Sequence, residues 1–334
     1  MNTQRDRSVY AAVLVYALII GFSFLFVKFA LTAASPLDTL AHRFTVSLVA
    51  ASALVLTGRM KLTVRLRDIG AVLPLAMLYP TLFFTFQTFG LAYTSSSEAG
   101  IVQAMAPALT MILAAFVLKE RPGLWQQLSV LLSVAGVVLI FAMKGASPES
   151  ASLAGIGLIA LSALSLAGYG VLTRKMAQSR SVSDITFMMS LIGFVAFNGA
   201  AVVRHMSQGT LPAFFQPFGN GLFALSIVYL GVFSSLASSF LSNYALARLE
   251  AYKMSAFNNV ATLITILTGV VVLRESMTVY HVAGGAMIIA GVLGANFLRS
   301  GGTRTPKRKP KPRAATHPVA APASAPAESA RDAR

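Results

Sequence analysis

The chain has 334 residues, of which 56% are apolar and 11% charged, with no cysteine and a formal net charge of +16; its mean hydropathy is +0.71. A soluble domain carries about 25% charged residues, so an ordinary soluble fold is excluded, and the lack of cysteine excludes a disulfide framework, thiol chemistry and a Cys-based metal site. Nine of the 27 Lys and Arg fall in 299–334 and most of the others in short loops, so the charge reports topology and a basic tail and not a nucleic-acid-binding domain.

A polar start, 1–9, contains Arg5 and Arg7 and precedes a first apolar span at Tyr10–Leu31. This run is longer than the apolar region of a cleaved signal peptide and contains Lys28, which favours a span. Nine further spans follow at Thr39–Thr57, Ile69–Leu91, Ala99–Leu118, Trp125–Met143, Leu153–Leu172, Asp184–Val203, Gly221–Ala247, Met254–Leu273 and Thr278–Leu298. Each approaches the ~20 apolar residues that cross the hydrocarbon core. None shows the alternating pattern of a barrel strand, so they are read as helices. The longest connection, 204–220, carries Pro212 and Pro217 and no clear element. The tail, 299–334, is rich in Pro, Ala and basic residues and is expected to be disordered.

The stretch Glu98–Ile140 returns 155 residues later. Ala106, Thr110, Val117, Leu118, Glu120, Ala135, Gly136 and Val137 match Ala261, Thr265, Val272, Leu273, Glu275, Ala290, Gly291 and Val292 without a gap, and Lys119 faces Arg274. The chain is therefore read as two homologous halves, 10–143 and 153–298. With the N-terminus in the cytoplasm, thirteen Lys and Arg outside the tail lie on the cytoplasmic side against Lys144, Arg204 and Arg274 opposite. Five spans per half invert the second half relative to the first. The expected fold is an all-α integral membrane protein with ten transmembrane helices as two inverted five-helix repeats, both termini cytoplasmic. Inverted repeats are an architecture of secondary transporters, with the solute near the midplane.

Gly21 with Lys28, Ser35-Pro36 with Arg43, Tyr93–Glu98 leading to Pro107, the corner Leu118-Lys119-Glu120-Arg121 with Gly136, and its echo Leu273-Arg274-Glu275 with Gly291 resemble, in order and spacing, the EamA-type branch of the drug/metabolite transporter superfamily. The resemblance covers about residues 10–298 and implies a ten-helix bundle exporting small metabolites or toxic compounds from the cytoplasm across a bacterial inner membrane. Ile20 stands where that branch often has tryptophan, and Thr262 stands where the first half has its mid-span proline, so the substrate class does not carry over.

Polar residues inside the spans are the candidate solute ligands. Gln103, Pro107 and Thr110 share one helical face, and Asn258, Thr262 and Thr265 occupy the repeat-equivalent positions. Tyr79, Phe83 and Gln87 form an aromatic and amide face opposite Ser234, Ser238 and Ser242, with Asn243 adjacent, and Tyr169 between Gly168 and Gly170 is a further candidate. The same residues also suit helix–helix hydrogen bonding and close packing. Lys28 and Arg43 either snorkel to headgroups or gate and attract an anionic solute. Glu98 opens the fourth span, where it complements the helix dipole and is placed to pair with either cation. Glu120 and Glu275 are expected to fix the repeated corners structurally.

No Asp or Glu lies mid-span, and the phosphate-binding glycine loop, His/Glu metal motif and nucleophile elbow are absent, so no cofactor, metal or catalytic residue is expected. Gly284, Gly285, Gly291 and Gly294, with Ser129 and Ser133, suit either packing within the bundle or a homodimer. The tail cluster Lys307, Arg308, Lys309, Lys311 and Arg313 suits anionic lipid or simple solvation. The leading expectation is a secondary exporter of a small amino acid-like, nucleobase-like or toxic solute. An uptake carrier, a lipid-modifying membrane enzyme and a non-transporting scaffold are the alternatives.

Overall fold

In the computed structural model the described residues are 3–63, 69–117, 119, 123–145, 150–176, 181–246 and 251–297; among them the chain forms helices and short connections and no strand. The tail and Glu120 lie outside the described residues. The first helix, α1 (Thr3–Leu31), starts well before the expected Tyr10. The second, α2 (Pro36–Leu56), is set by Ser35, whose hydroxyl accepts the Asp38 N–H at 3.2 Å, and by Pro36, whose missing N–H is harmless in the first turn.

The expected third span is interrupted. It comprises α3 (Ile69–Ala76), a π-helical segment (Met77–Leu82) and α4 (Phe83–Tyr93). Pro80 has no N–H to donate and disfavours helical dihedrals at Tyr79, which sits at φ −143° and ψ 117°. The fourth span is broken too. Pro107 sterically opposes the carbonyl four residues back, and α5 (Ser96–Gln103) stops there before α6 (Ala106–Val117) begins.

Three long helices follow, α7 (Leu124–Gly145), α8 (Ser150–Met176) and α9 (Val182–Gln208). The connection expected to hold no element instead holds the last turn of α9, a left-handed Gly209 at φ 65° and a 3₁₀ helix at Leu211–Gly219. Phe214 of that helix is buried 4.2 Å from the His42 ring, so apolar burial orders the segment despite its two prolines. Beyond it come α10 (Gly221–Val228), a second π-helical segment (Tyr229–Ala237) and α11 (Ser238–Leu246), then α12 (Ala251–Val271) and α13 (Val279–Phe297).

Among the described residues seven stretches are long and apolar enough to cross a bilayer, and 124–140, 260–271 and 279–294 are shorter apolar helices. Leu128, Leu131, Val138, Val195, Leu225, Leu263 and Leu267 point outward, as a lipid-facing surface requires. The main packed core joins Phe24 and Val27 of α1, Leu91 of α4, Ile101 of α5, Ile140 of α7, Ile156 and Ile159 of α8, and Phe223, Ile227 and Leu230 along α10 and the second π segment. A second cluster joins Leu40 and Phe44 to Phe83, Phe84, Phe197 and Phe214.

The α7–α13 pair is held at backbone contact. A Cβ added to Gly136 would lie 2.6 Å from the Gly284 carbonyl oxygen, and one added to Gly291 would strike the Ser129 carbonyl. Ser133 donates to the Ile288 carbonyl at 3.2 Å across this seam. In lipid such van der Waals contact and interhelical hydrogen bonding replace the hydrophobic effect as the association force. The small residues of the fifth and last spans thus face each other within the chain. Gly136→Leu is expected to destabilise the fold by about 1–3 kcal/mol, the range for overpacking. Thermal unfolding in detergent checks it: a clear fall in Tm is expected, and an unchanged Tm would contradict the seam.

Candidate functional site

Where the helices break, a cavity opens. It is partly open to the surroundings and mostly apolar with a few polar groups, the make-up of a small-molecule site. Its place follows from helix register. On α1 the core residues Phe24, Val27 and Ala30 lie toward one end, and Tyr16, Ile20 and Ser23 of the cavity lie toward the other. On α8 the core residues Ile156, Ile159 and Ala163 give way to Leu166 and Tyr169 of the cavity. Along α10–α11 the core residues Phe223, Ile227 and Leu230 give way to Ser234, Ser238 and Ser242. The cavity is therefore capped by tight packing at the end that carries the α1–α2, α4–α5 and α12–α13 connections.

One wall is aromatic. Tyr79, swung out of helical geometry, has its ring centroid 5.1 Å from Phe83 and 5.2 Å from both Phe84 and Tyr169. A second wall, from the second π segment and α11, presents Ser234, Ser238, Ser239, Ser242 and Asn243. The Tyr79 hydroxyl interacts with Ser238 and Ser239, so the two walls are joined at their edge. The third wall brings Gln103 and Pro107 from the α5–α6 break to Thr262 and Thr265 of α12. Gln103 accepts from Ser162 at 2.8 Å, while its buried amide nitrogen has no partner. The Thr265 hydroxyl donates to the Gly21 and Ala261 carbonyls at 2.9 and 3.1 Å, so it also ties α12 to α1.

Of the residues singled out from sequence, Tyr79, Phe83, Gln87, Gln103, Pro107, Tyr169, Ser242, Asn243, Thr262 and Thr265 line this cavity. Thr110 does not: its hydroxyl bonds back to the Ala106 carbonyl at 2.8 Å, and its methyl group lies toward Gly170 of α8. The Asn258 side chain lies outside the described residues. Tyr16, Ile20 and Ser23 were missed. They repeat the i, i+4, i+7 spacing of Gln103, Pro107 and Thr110, and that spacing was the available signal.

Arg43 does not snorkel to the surface. It is 1% exposed. Its Nε donates to Ser235 Oγ at 2.7 Å and its Nη2 to Ser234 Oγ at 3.0 Å, and Cζ lies 3.9 Å from the Phe84 centroid. Lys28 is half-buried and has Glu275 and Glu98 as its electrostatic neighbours.

Glu98 and Glu275 meet at the packed end. Glu98 closes a capping box with Ser95 on α5 and accepts from Thr94 Oγ1 at 2.6 Å. Its other oxygen is 2.8 Å from His281 Nε2, within ion-pair range and off the axis of a good hydrogen bond. Glu275 accepts the backbone N–H groups of Ser96 and Ser97 at 2.6 and 2.8 Å and the Ser97 hydroxyl at 2.7 Å. A carboxylate from the corner before α13 thereby caps the N-terminus of α5. Gly269 makes room for it, since a Cβ there would lie 3.1 Å from Ser97 N. On the neighbouring helix pair, His205 Nε2 is 3.0 Å from Asp38 Oδ1, linking α9 to α2.

Comparison with known proteins places this geometry. The family model described as the EamA-like transporter family matches residues 7–142 and 153–297. An uncharacterized transporter of Bacillus subtilis, YcxC, is 54% identical over 306 residues, spanning 92% of this chain and 98% of that one. The chloroplastic phosphoenolpyruvate/phosphate translocator 1 of Oryza sativa is 27% identical, spanning 84% of this chain and 67% of that one. A solved crystal structure superposes with a TM-score of 0.59 at 19% identity, covering 88% of this chain and 98% of that chain, a likeness of fold.

Removing the Glu275 cap leaves two buried N–H groups without their charged acceptor. Glu275→Ala is expected to cost about 1–3 kcal/mol, read as a lower Tm, with Glu275→Gln recovering part of the loss. Equal Tm for the wild type and the alanine variant would contradict the cap.

Proposed function

The chain belongs to the EamA-like transporter family and is a multi-pass membrane protein, and from that membership and the cavity we propose that it is a secondary transporter exporting a small organic metabolite across the cytoplasmic membrane by alternating access. The carrying observation is an aromatic-walled cavity with a few hydroxyl and amide groups, formed where the spanning helices break and closed at one end by packing. Non-helical backbone at membrane depth is tolerated where it lines such a cavity.

An inverted repeat of five helices in each half, 10–143 and 153–298, gives this site its symmetry. Lys119 and Arg274, equivalent at the 155-residue offset, share the uncommon φ of 55°. Gly136 meets the carbonyl of Gly284 while its equivalent Gly291 meets that of Ser129, itself the equivalent of Gly284. The two π segments, Met77–Leu82 and Tyr229–Ala237, carry the equivalent positions Tyr79 and Ser234 into the lining of one cavity. These pairs support a ten-helix bundle with a pseudo-two-fold axis, the frame on which one half rocks against the other around a central solute.

The Lys and Arg distribution puts both termini in the cytoplasm. The packed end then faces outward and the cavity lies toward the cytoplasm, the side from which an exporter loads. The plastid relatives are named for phosphoenolpyruvate and phosphate, which supports a small metabolite as the solute. An uptake carrier uses the same architecture in the opposite sense.

Thr262→Leu places a branched apolar side chain at the centre of the third wall. It is expected to abolish export while leaving membrane abundance unchanged. The check is a metabolite survey of the medium from cells expressing wild type or variant at equal abundance. A solute that accumulates outside only with the wild type supports the reading; equal accumulation with the variant removes Thr262 from the site.

A further inference from the structure

Arg43 is the anomaly of the described bundle. A guanidinium buried in a membrane protein normally pairs with a carboxylate, because an unpaired buried charge costs several kcal/mol. Arg43 is 1% exposed, and among the described residues no carboxylate comes within salt-bridge range of it. Lys28 already has Glu275 and Glu98 nearby, and Arg204, near the end of α9, donates to Ser35 Oγ at 2.8 Å.

The partners of Arg43 are neutral and incomplete. Nε and Nη2 are used on Ser235 and Ser234, the Phe84 face covers Cζ, and Nη1 has no partner at all. Two of these contacts, Ser234 and Phe84, are themselves walls of the cavity, so the charge stands one layer behind its surface. The serines do not neutralise it. Each accepts an N–H from Arg43 on its oxygen, which turns its own hydroxyl proton away from the arginine and strengthens it as a donor. Of the two serines only Ser234 lines the cavity, so the lining beside Arg43 presents one polarised hydroxyl proton backed by a full positive charge, with the Phe84 ring packed on the same guanidinium.

Resting on the reading of this cavity as the solute site, we propose that the solute is a small organic monocarboxylate whose carboxylate is held at Ser234 with Arg43 as its counterion, while its less polar body lies against Tyr79, Phe83 and Tyr169. One cation balances one anionic charge; a phosphate dianion would leave a net charge in the bundle. The orphaned Nη1 supplies a further N–H for an oxygen that displaces a wall side chain. The counter-charge that no described residue supplies to Arg43 arrives with the solute, which ties binding in the cavity to the stability of the α2 contact with the second π segment.

The test uses the purified full-length protein in detergent and matched pairs of probes that differ only in charge: phenylacetate with phenylacetamide, indole-3-acetate with indole-3-acetamide, and butyrate with butyramide. Thermal stabilisation is titrated for wild type, Arg43→Gln and Arg43→Lys. The expected result is stabilisation by at least one carboxylate, tenfold or more weaker binding of its amide, a comparable loss in Arg43→Gln and partial retention in Arg43→Lys. Should Arg43→Gln fail to fold, the carboxylate–amide comparison on the wild type decides alone. Amides that bind as well as their acids, or a carboxylate affinity unchanged in a folded Arg43→Gln protein, overturn the proposal. So does the absence of stabilisation by any carboxylate. If amides bind and Thr262→Leu abolishes that binding, the cavity keeps its role as solute site and only the carboxylate is lost; if no probe binds and the efflux survey is also blank, both readings fall.

Discussion

A peptide group in hydrocarbon has no water to turn to, so a backbone at membrane depth stays helical unless something else satisfies its N–H and C=O groups. The structure of this chain is arranged around that constraint. Helices that touch lipid, such as α7 and α9, are unbroken and carry exposed Leu and Val. The irregular segments each turn one face inward: the π segment around Tyr79, the interruption between Gln103 and Ala106, and the π segment around Ser234. All three contribute to the walls of one cavity. Breaking a helix there frees polar groups and lateral space together, and a solute site needs both.

The same constraint governs the charges. At the packed end each carboxylate is consumed by a specific donor set: Glu275 by the first turn of α5, Glu98 by its capping box and His281, and Asp38 by Ser35 and His205. These bonds run between α5, α13, α2 and α9, so opening that end requires breaking them in concert. At the cavity the balance differs, since Arg43 has only hydroxyls and an aromatic face. Among the described residues these carboxylates are met within the bundle, while the buried Arg43 guanidinium has only neutral partners.

Much of this was legible in the sequence. Apolar run lengths gave the helices, and the small residues singled out in the fifth and last spans, Ser129, Ser133, Gly284 and Gly291, lie along the α7–α13 seam. Ten of the site candidates reach the cavity because polar residues in an apolar span have few other reasons to be there. Thr110 does not, since a threonine on a helix can bond its own i−4 carbonyl and leave no signal of it in composition. The 3₁₀ helix at Leu211–Gly219 was hidden by prolines that read as breakers, although its phenylalanines made it worth burying. The partner of Glu275 was beyond reach, because no local pattern says which helix N-terminus a corner carboxylate will cap 178 residues away. The burial of Arg43 was equally invisible: its position near a span end fits snorkelling until the packing of Ser234, Ser235 and Phe84 is seen.

The chain's freedom from cysteine makes the decisive measurement direct. Ser242→Cys and Thr262→Cys, on separate walls of the cavity, and Leu131→Cys, on the lipid face, are each treated with a membrane-impermeant thiol reagent applied to inverted and to right-side-out vesicles. A solute site at the broken helices, open toward the cytoplasm, requires that the two cavity positions react in inverted vesicles far faster than Leu131→Cys and that the exported solute slow that reaction. Cavity positions that react no faster than the lipid-facing control from either side would contradict the account.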